Sequence, residues 1–286
     1  MIFITLISVA DLKTEFSDRR LVIVDCRFSL EDTELGRKQY LENHIPGAVY
    51  AHLDEDLCSA VIPGVTGRHP MPDAEQLAEK LGDWGINSSS KIVVYDDAGG
   101  AMAASRLWWL LGWLGHYAVA VLDGGWGAWL RSGEPNRSGQ ETRSSSSFIP
   151  RIKRSRLIET DEILNRLEDP DLLLVDSRAE ERYRGEVEPI DPVAGHIPGA
   201  IVSPYEDVLN AEGYFLPLDQ LRSHFKQLLG ESSAKNTVFY CGSGVTAVQN
   251  VFAVAHAGLG NARLYAGSWS EWITDPERPI AKGDGG

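Results

Sequence analysis

The sequence predicts an α/β protein of two tandem domains, each a mostly parallel sheet with helices on both faces. Three observations predict it. A set of short motifs near the start returns in the same order after the midpoint. Each half alternates brief apolar runs rich in Val and Ile with stretches of helical spacing. A polar segment without apolar periodicity lies between the halves.

Residues 1–10 are apolar but lack a basic leader and run straight into Asp11, Lys13 and Glu15, so they read as a first strand rather than a signal peptide. Residues 21–24, 92–95 and 119–122 have the composition of strands covered on both faces, and residues 73–81 and 101–111 are helix-like. The second half repeats the scheme, with strands at 172–175, 237–240 and 262–265 and helices at 218–229 and 246–257. Strands joined through crossover helices pair in parallel, because a tight hairpin cannot return the chain in the same direction. Residues 136–155, with the run Ser144 to Ser147, are expected to form an exposed linker between a first domain over 1–135 and a second over 156–286.

With 286 residues, 43% of them hydrophobic and 24% charged, the chain is long enough to bury two cores. A formal net charge of −14 repels phosphate backbones and anionic lipid, so neither nucleic acid nor a membrane is an expected partner. The most apolar stretch, around 107–114, is short and bordered by Arg106 and His116. Cys26, Cys58 and Cys241 are odd in number and lack metal-ligand spacing, which argues against a disulfide framework or a structural zinc and for a reducing, cytoplasmic compartment. No metal and no cofactor are expected.

The repeat serves as an internal control: what both copies carry serves the fold, and what one copy carries alone is a candidate for chemistry. Asp25 and Arg27 recur as Asp176 and Arg178, the His44–Ala48 turn His-Ile-Pro-Gly-Ala recurs from His196, and Gly124-Gly-Trp126 recurs as Gly267-Ser-Trp269. These pairs are read as a strand-end brace, a turn whose imidazole satisfies backbone groups, and a core anchor.

Two features are not shared. The first-half strand ends in Asp96, whereas the second ends in Cys241, followed by Gly242, Ser243, Gly244, Val245 and Thr246. A cysteine outside the carboxyl end of a strand, before a helix and beside two glycines, sits where inward amides can hold a thiolate. No such amide ring is expected around Asp96. The second asymmetry is basic: Arg182-Tyr183-Arg184 occurs where the first half has Glu31 at the matching distance, so Arg182 and Arg184 are candidate anchors for a small anion. Cys26 and Cys58 carry no such surroundings.

The repeated His-Ile-Pro-Gly-Ala, Asp-Ser-Arg at Asp176, Arg-Tyr-Arg-Gly at Arg182 and Cys-Gly-Ser-Gly-Val-Thr at Cys241 resemble the tandem-domain rhodanese family of sulfurtransferases over essentially the whole chain. The resemblance implies an inactive first domain and a catalytic second one. It implies that Cys241 takes a sulfane sulfur from a small anionic donor as a persulfide and passes it to cyanide, a thiol or thioredoxin. By the same resemblance Arg182 binds the donor's anionic group, and the Gly242-Ser243 form of the loop, in place of Arg-Lys, goes with 3-mercaptopyruvate rather than thiosulfate. A second arginine common before the second His-Ile-Pro-Gly turn is missing here, where Pro189-Ile-Asp-Pro192 stands. Arg68 and His69 of the first half are further candidates for the site. Two other classes stay open: a persulfide carrier without turnover, and a Cys-dependent phosphatase, which lacks its loop arginine because position 247 is Ala247.

Overall fold

The computed structural model describes residues 5–284, which form two compact units. The first contains a five-stranded sheet of β1 (Leu6–Ile7), β2 (Leu21–Asp25), β3 (Ala48–Tyr50), β4 (Lys91–Tyr95) and β5 (Val119–Leu122), in the order β1-β5-β4-β2-β3. The second contains a four-stranded sheet of β6 (Leu173–Asp176), β7 (Ile201–Val202), β8 (Thr237–Tyr240) and β9 (Arg263–Leu264), in the order β7-β6-β8-β9. Every strand pair is parallel. The two orders coincide once β1 is set aside, and the lone parallel bridge Leu157–Leu264 takes the place of the β1–β5 pairing.

β2, β5 and β8 are buried at every position, as unbroken apolar strands should be when helices cover both faces. Each unit has its own core, with Leu12, Ile23, Val93 and Trp129 in the first and Ile163, Val238, Trp269 and Trp272 in the second. The expected helices appear at Ala74–Asp83, Ala104–Trp113, Leu218–Leu229 and Ala247–His256. The second of these begins three residues later than its spacing predicts, because residues 101–103 belong to the loop that wraps Asp96. β3 and β7 follow the His-Ile-Pro-Gly-Ala turns and are too short for a periodicity signal.

The segment expected to be a free linker is instead a strap on the first unit. Backbone hydrogen bonds join Arg137 to His44, Gly139 to Leu41, Ser146 to Gly82 and Arg151 to Leu114, and Phe148 is buried. The boundary therefore falls after Lys153. The domains are not contiguous in sequence either. Ala60–Met71 belongs to the second unit and Leu209–Phe215 to the first.

The shared motifs do what the internal control predicts. Arg27 donates to Asp25 and to the Asn43 carbonyl, and Arg178 donates to Asp176 and the Gly195 carbonyl, with all four side chains almost fully buried. Each arginine also lies over a tryptophan, at 4.5 Å for Trp126 and 5.0 Å for Trp269. Trp269 is a core residue, while Trp126 is only half-buried. His44 and His196 each place Nδ1 2.7 Å from a backbone carbonyl, of Tyr40 and Tyr183 respectively, and stack on those rings.

Candidate active site

Cys241 follows β8 directly, in register with Ser177 after β6, and its loop runs through Gly242–Thr246 into the helix Ala247–His256. Gly244 has a φ of +73°, and a Cβ there would lie 2.2 Å from the Ala266 carbonyl oxygen, so only glycine fits. Ser268, Trp269 and Ser270 clamp the start of the loop. The Cys241 N–H donates to Ser268 Oγ at 3.1 Å, and the N–H groups of Trp269 and Ser270 donate to the Cys241 and Gly242 carbonyls. Ser268 holds a φ of +55°, a strained conformation for a side-chain-bearing residue. In the first unit Gly125 occupies the matching position at +51°. That substitution of serine for glycine was the sequence signal for Ser268, read only as part of a core motif.

The Cys241 side chain is buried, and burial alone would push its thiol up. Against this, the Thr246 hydroxyl and the N–H groups of Ser243, Ala247 and Gly244 hydrogen-bond the sulfur, and the balance lowers the thiol below its ordinary value. The other cysteines go the opposite way. Burial, with Asp25 and Asp96 nearby, pushes Cys26 well up, and burial raises Cys58. Neither is poised as a nucleophile.

Asp96 overturns the expectation that the first domain has no ring of inward amides. Its Oδ1 accepts from the N–H groups of Ala98 and Gly100, and its Oδ2 from those of Met102, Ala103 and Ala104, at 2.7 to 3.2 Å. The first unit therefore has its own amide ring, filled by a carboxylate where the second holds a sulfur. Burial pushes this carboxyl up to about 6 even so, with the Ala104, Gly100 and Ala98 amides pulling it down.

Arg182 comes to the Cys241 loop and Arg184 does not. Arg182 donates to Glu188 at 2.7 Å and to Asp191 at 3.3 Å. Arg184 turns to Glu180 and Asp284 on the surface. Arg68 and His69, carried by the segment Ala60–Met71, also arrive in this unit. Arg68 pairs with Asp191, and His69 Nδ1 lies 2.7 Å from the Ser243 hydroxyl, with both groups buried. Glu188 and Asp191, nearly buried acids that organise the arginines, had no spacing signal in the sequence. The one trio with metal-ligand spacing among the described residues, Glu34, His52 and Glu55, lies in the first unit. Its His52 nitrogens are engaged by the Thr33 carbonyl and the Glu55 N–H.

The rhodanese-like domain model matches residues 8–132 and again residues 159–275. The chain belongs to the rhodanese family. Over 280 residues, 98% of both chains, it is 50% identical to a probable 3-mercaptopyruvate sulfurtransferase of Pseudomonas aeruginosa. It is 38% identical to a putative thiosulfate sulfurtransferase of Mycobacterium tuberculosis, over 91% of this chain and 90% of that one. The solved 3-mercaptopyruvate sulfurtransferase of Leishmania major superposes with a TM-score of 0.83 at 29% identity, covering 95% of this chain and 75% of that one. As a rhodanese, the chain has an asymmetric pair of domains: the same strand end bears a cysteine sulfur in one and a carboxyl group in the other. No helix among the described residues is long and apolar enough to cross a membrane.

Proposed function

We propose that this rhodanese is a 3-mercaptopyruvate sulfurtransferase acting by double displacement at Cys241. The Cys241 thiolate attacks the donor's sulfur, an S–S bond forms, and the donor's C–S bond breaks with its electron pair leaving as the enolate of pyruvate, which takes up a proton. The loop amides that hold the thiolate also hold the persulfide. A thiol, cyanide or thioredoxin-type acceptor then attacks the outer sulfur and releases the Cys241 thiolate. Arg182 holds the donor's carboxylate, and the Ser243 hydroxyl, fixed by His69, is available to hydrogen-bond the donor.

The observation that carries this reading is a lowered thiol ringed by Thr246 and three amides, in a loop whose Gly242 and Ser243 supply no cation of their own. Thiosulfate, with two negative charges beside its sulfur, calls for cations on the loop, whereas the carboxylate of 3-mercaptopyruvate is served by arginines set to one side. The 50% identical relative carries the same name. The thiosulfate reading keeps one supporting observation, the 38% identical mycobacterial relative. The persulfide chemistry and three free cysteines suit a reducing compartment such as the cytoplasm.

Measuring pyruvate release from 3-mercaptopyruvate beside thiocyanate formation from thiosulfate and cyanide decides the donor. The expected kcat/KM favours 3-mercaptopyruvate, and Cys241→Ser abolishes both reactions while Cys26→Ser and Cys58→Ser leave them intact. A preference for thiosulfate refutes the donor, and activity surviving Cys241→Ser refutes the nucleophile.

A further inference from the structure

Among the described residues, Ser268 alone combines a side chain with a positive φ, at +55°. It is fully buried, in a backbone conformation where glycine would be at ease. Its hydroxyl is committed at both ends. Oγ accepts the Cys241 N–H at 3.1 Å and donates to the Tyr265 carbonyl at 2.9 Å.

The place of that hydroxyl follows from the strand register. β8 and β9 pair in parallel with Phe239 opposite Leu264, and the Tyr265 N–H donates to the Phe239 carbonyl. Continued by one step, the ladder would send the Cys241 N–H to the Tyr265 carbonyl. The Ser268 hydroxyl stands between those two groups and satisfies both. It holds the end of β8 and the chain after β9 one hydroxyl apart, at the point where the Cys241 loop begins. The N–H groups of Trp269 and Ser270 then fix the Cys241 and Gly242 carbonyls at 3.0 and 2.9 Å.

The first unit offers the contrast. The Trp126 N–H donates to the Asp96 carbonyl as that of Trp269 does to Cys241, so Gly125 matches Ser268. A Cβ on Gly125 would lie 2.2 Å from the Asp96 carbonyl oxygen, which leaves no room for a side chain. In the second unit the same turn stands off far enough to admit one. The contents of the two loops give the reason. Asp96 pins itself, its two carboxyl oxygens taking five N–H groups. Cys241 offers its ring a single sulfur, a weak acceptor, so its direction has to come from the backbone that carries it.

We propose that Ser268 is a positioning residue for the nucleophile: its hydroxyl, spliced between the Cys241 N–H and the Tyr265 carbonyl, sets the backbone direction from which the sulfur enters its ring of donors. The disfavoured φ is retained because no glycine can supply that hydroxyl. This rests on Cys241 as the sulfur-carrying residue and not on the choice of donor.

Ser268→Gly tests it, since it restores the Gly-Gly-Trp of the first unit, relaxes φ and removes only the hydroxyl. With the donor that the unaltered protein turns over, kcat should fall about tenfold or more while KM stays within about threefold. The acid limb of Cys241 alkylation by iodoacetamide should move up by about half a pH unit or more, because the sulfur anion no longer meets its donors squarely. Ser268→Ala, which keeps the disfavoured φ and loses the same hydroxyl, should match it in both readouts. Arg68 and Tyr205, the other ionisable groups coupled to the Cys241 sulfur, are unaltered in both variants, so a moved limb reports the ring of donors. A Ser268→Gly protein with the kcat and acid limb of the unaltered chain overturns the proposal whatever its melting temperature, because a serine serving the fold alone would change stability alone. Losses in Ser268→Ala that Ser268→Gly does not share also overturn it, since the hydroxyl would then be dispensable once φ is relaxed. Activity surviving Cys241→Ser removes the nucleophile itself, and the proposal with it.

Discussion

Thr246 does more for the nucleophile than its place at the end of a loop suggests. Of the groups that lower the Cys241 thiol against burial, its hydroxyl contributes most, ahead of the amides of Ser243, Ala247 and Gly244. The sign of the pH dependence follows. The thiolate is the reactive form, and a thiol held below its ordinary value stays ionised further into the acid range, so the acid limb of the rate profile lies below that of free cysteine. A hydrogen bond to a charged group is worth about 1.5–3 kcal/mol. Thr246→Val keeps the shape and removes the donor, so it should shift the acid limb of Cys241 alkylation by iodoacetamide toward higher pH and slow alkylation at mildly acidic pH about tenfold or more. An unmoved limb would assign the thiolate to the backbone amides alone.

At the scale of the element, the strand–loop–helix unit that carries Cys241 exists twice, and both copies are built to hold an anion. Asp96 shows what the ring of amides is worth, since its two oxygens take five N–H donors. Asp96→Asn turns one acceptor into a donor aimed at two or three of those amides, and each buried N–H left without a partner costs about 1–3 kcal/mol. The variant should lower thermal stability by at least about 2 kcal/mol while the kcat of the folded protein stays the same, and an unchanged melting temperature would mean the ring relaxes without cost. The repeat made much of this legible: Asp25/Arg27, His44 and Trp269 act through neighbours close in sequence or through a motif present twice, and Cys241 stood out as the copy that differs. The ring around Asp96 was not legible, because it depends on the backbone dihedrals of residues 97–103 rather than on side-chain identity. Nor were Glu188 and Asp191, whose roles come from how the chain folds them against Arg182 and Arg68. Arg184 was a further candidate beside Arg182, but two residues on, at the C-cap of a short helix, it turns to Glu180 on the surface.

For the whole molecule, the consequential feature is that sequence halves and folded units do not coincide. The second unit, which holds Cys241, includes Ala60–Met71, and the first unit includes both Leu209–Phe215 and the strap that follows Arg137. The exchanged segment is tightly seated: a Cβ on Gly67 would lie 2.6 Å from the Gly267 carbonyl oxygen and 2.7 Å from Ser270 Oγ, beside the residues that clamp the Cys241 backbone. It also brings His69 to Ser243 and Arg68 to Asp191. Cutting the chain where its repeat suggests, to give residues 156–286, therefore removes Arg68 and His69 from a piece that keeps Cys241, its loop and Arg182. That piece should have a kcat/KM for 3-mercaptopyruvate at least a hundredfold below that of the full chain, even where circular dichroism shows it folded, because it lacks both His69, the Ser243 partner, and Arg68, the Asp191 partner. Equal kcat/KM in the two would show that the catalytic unit is complete within the second half of the sequence.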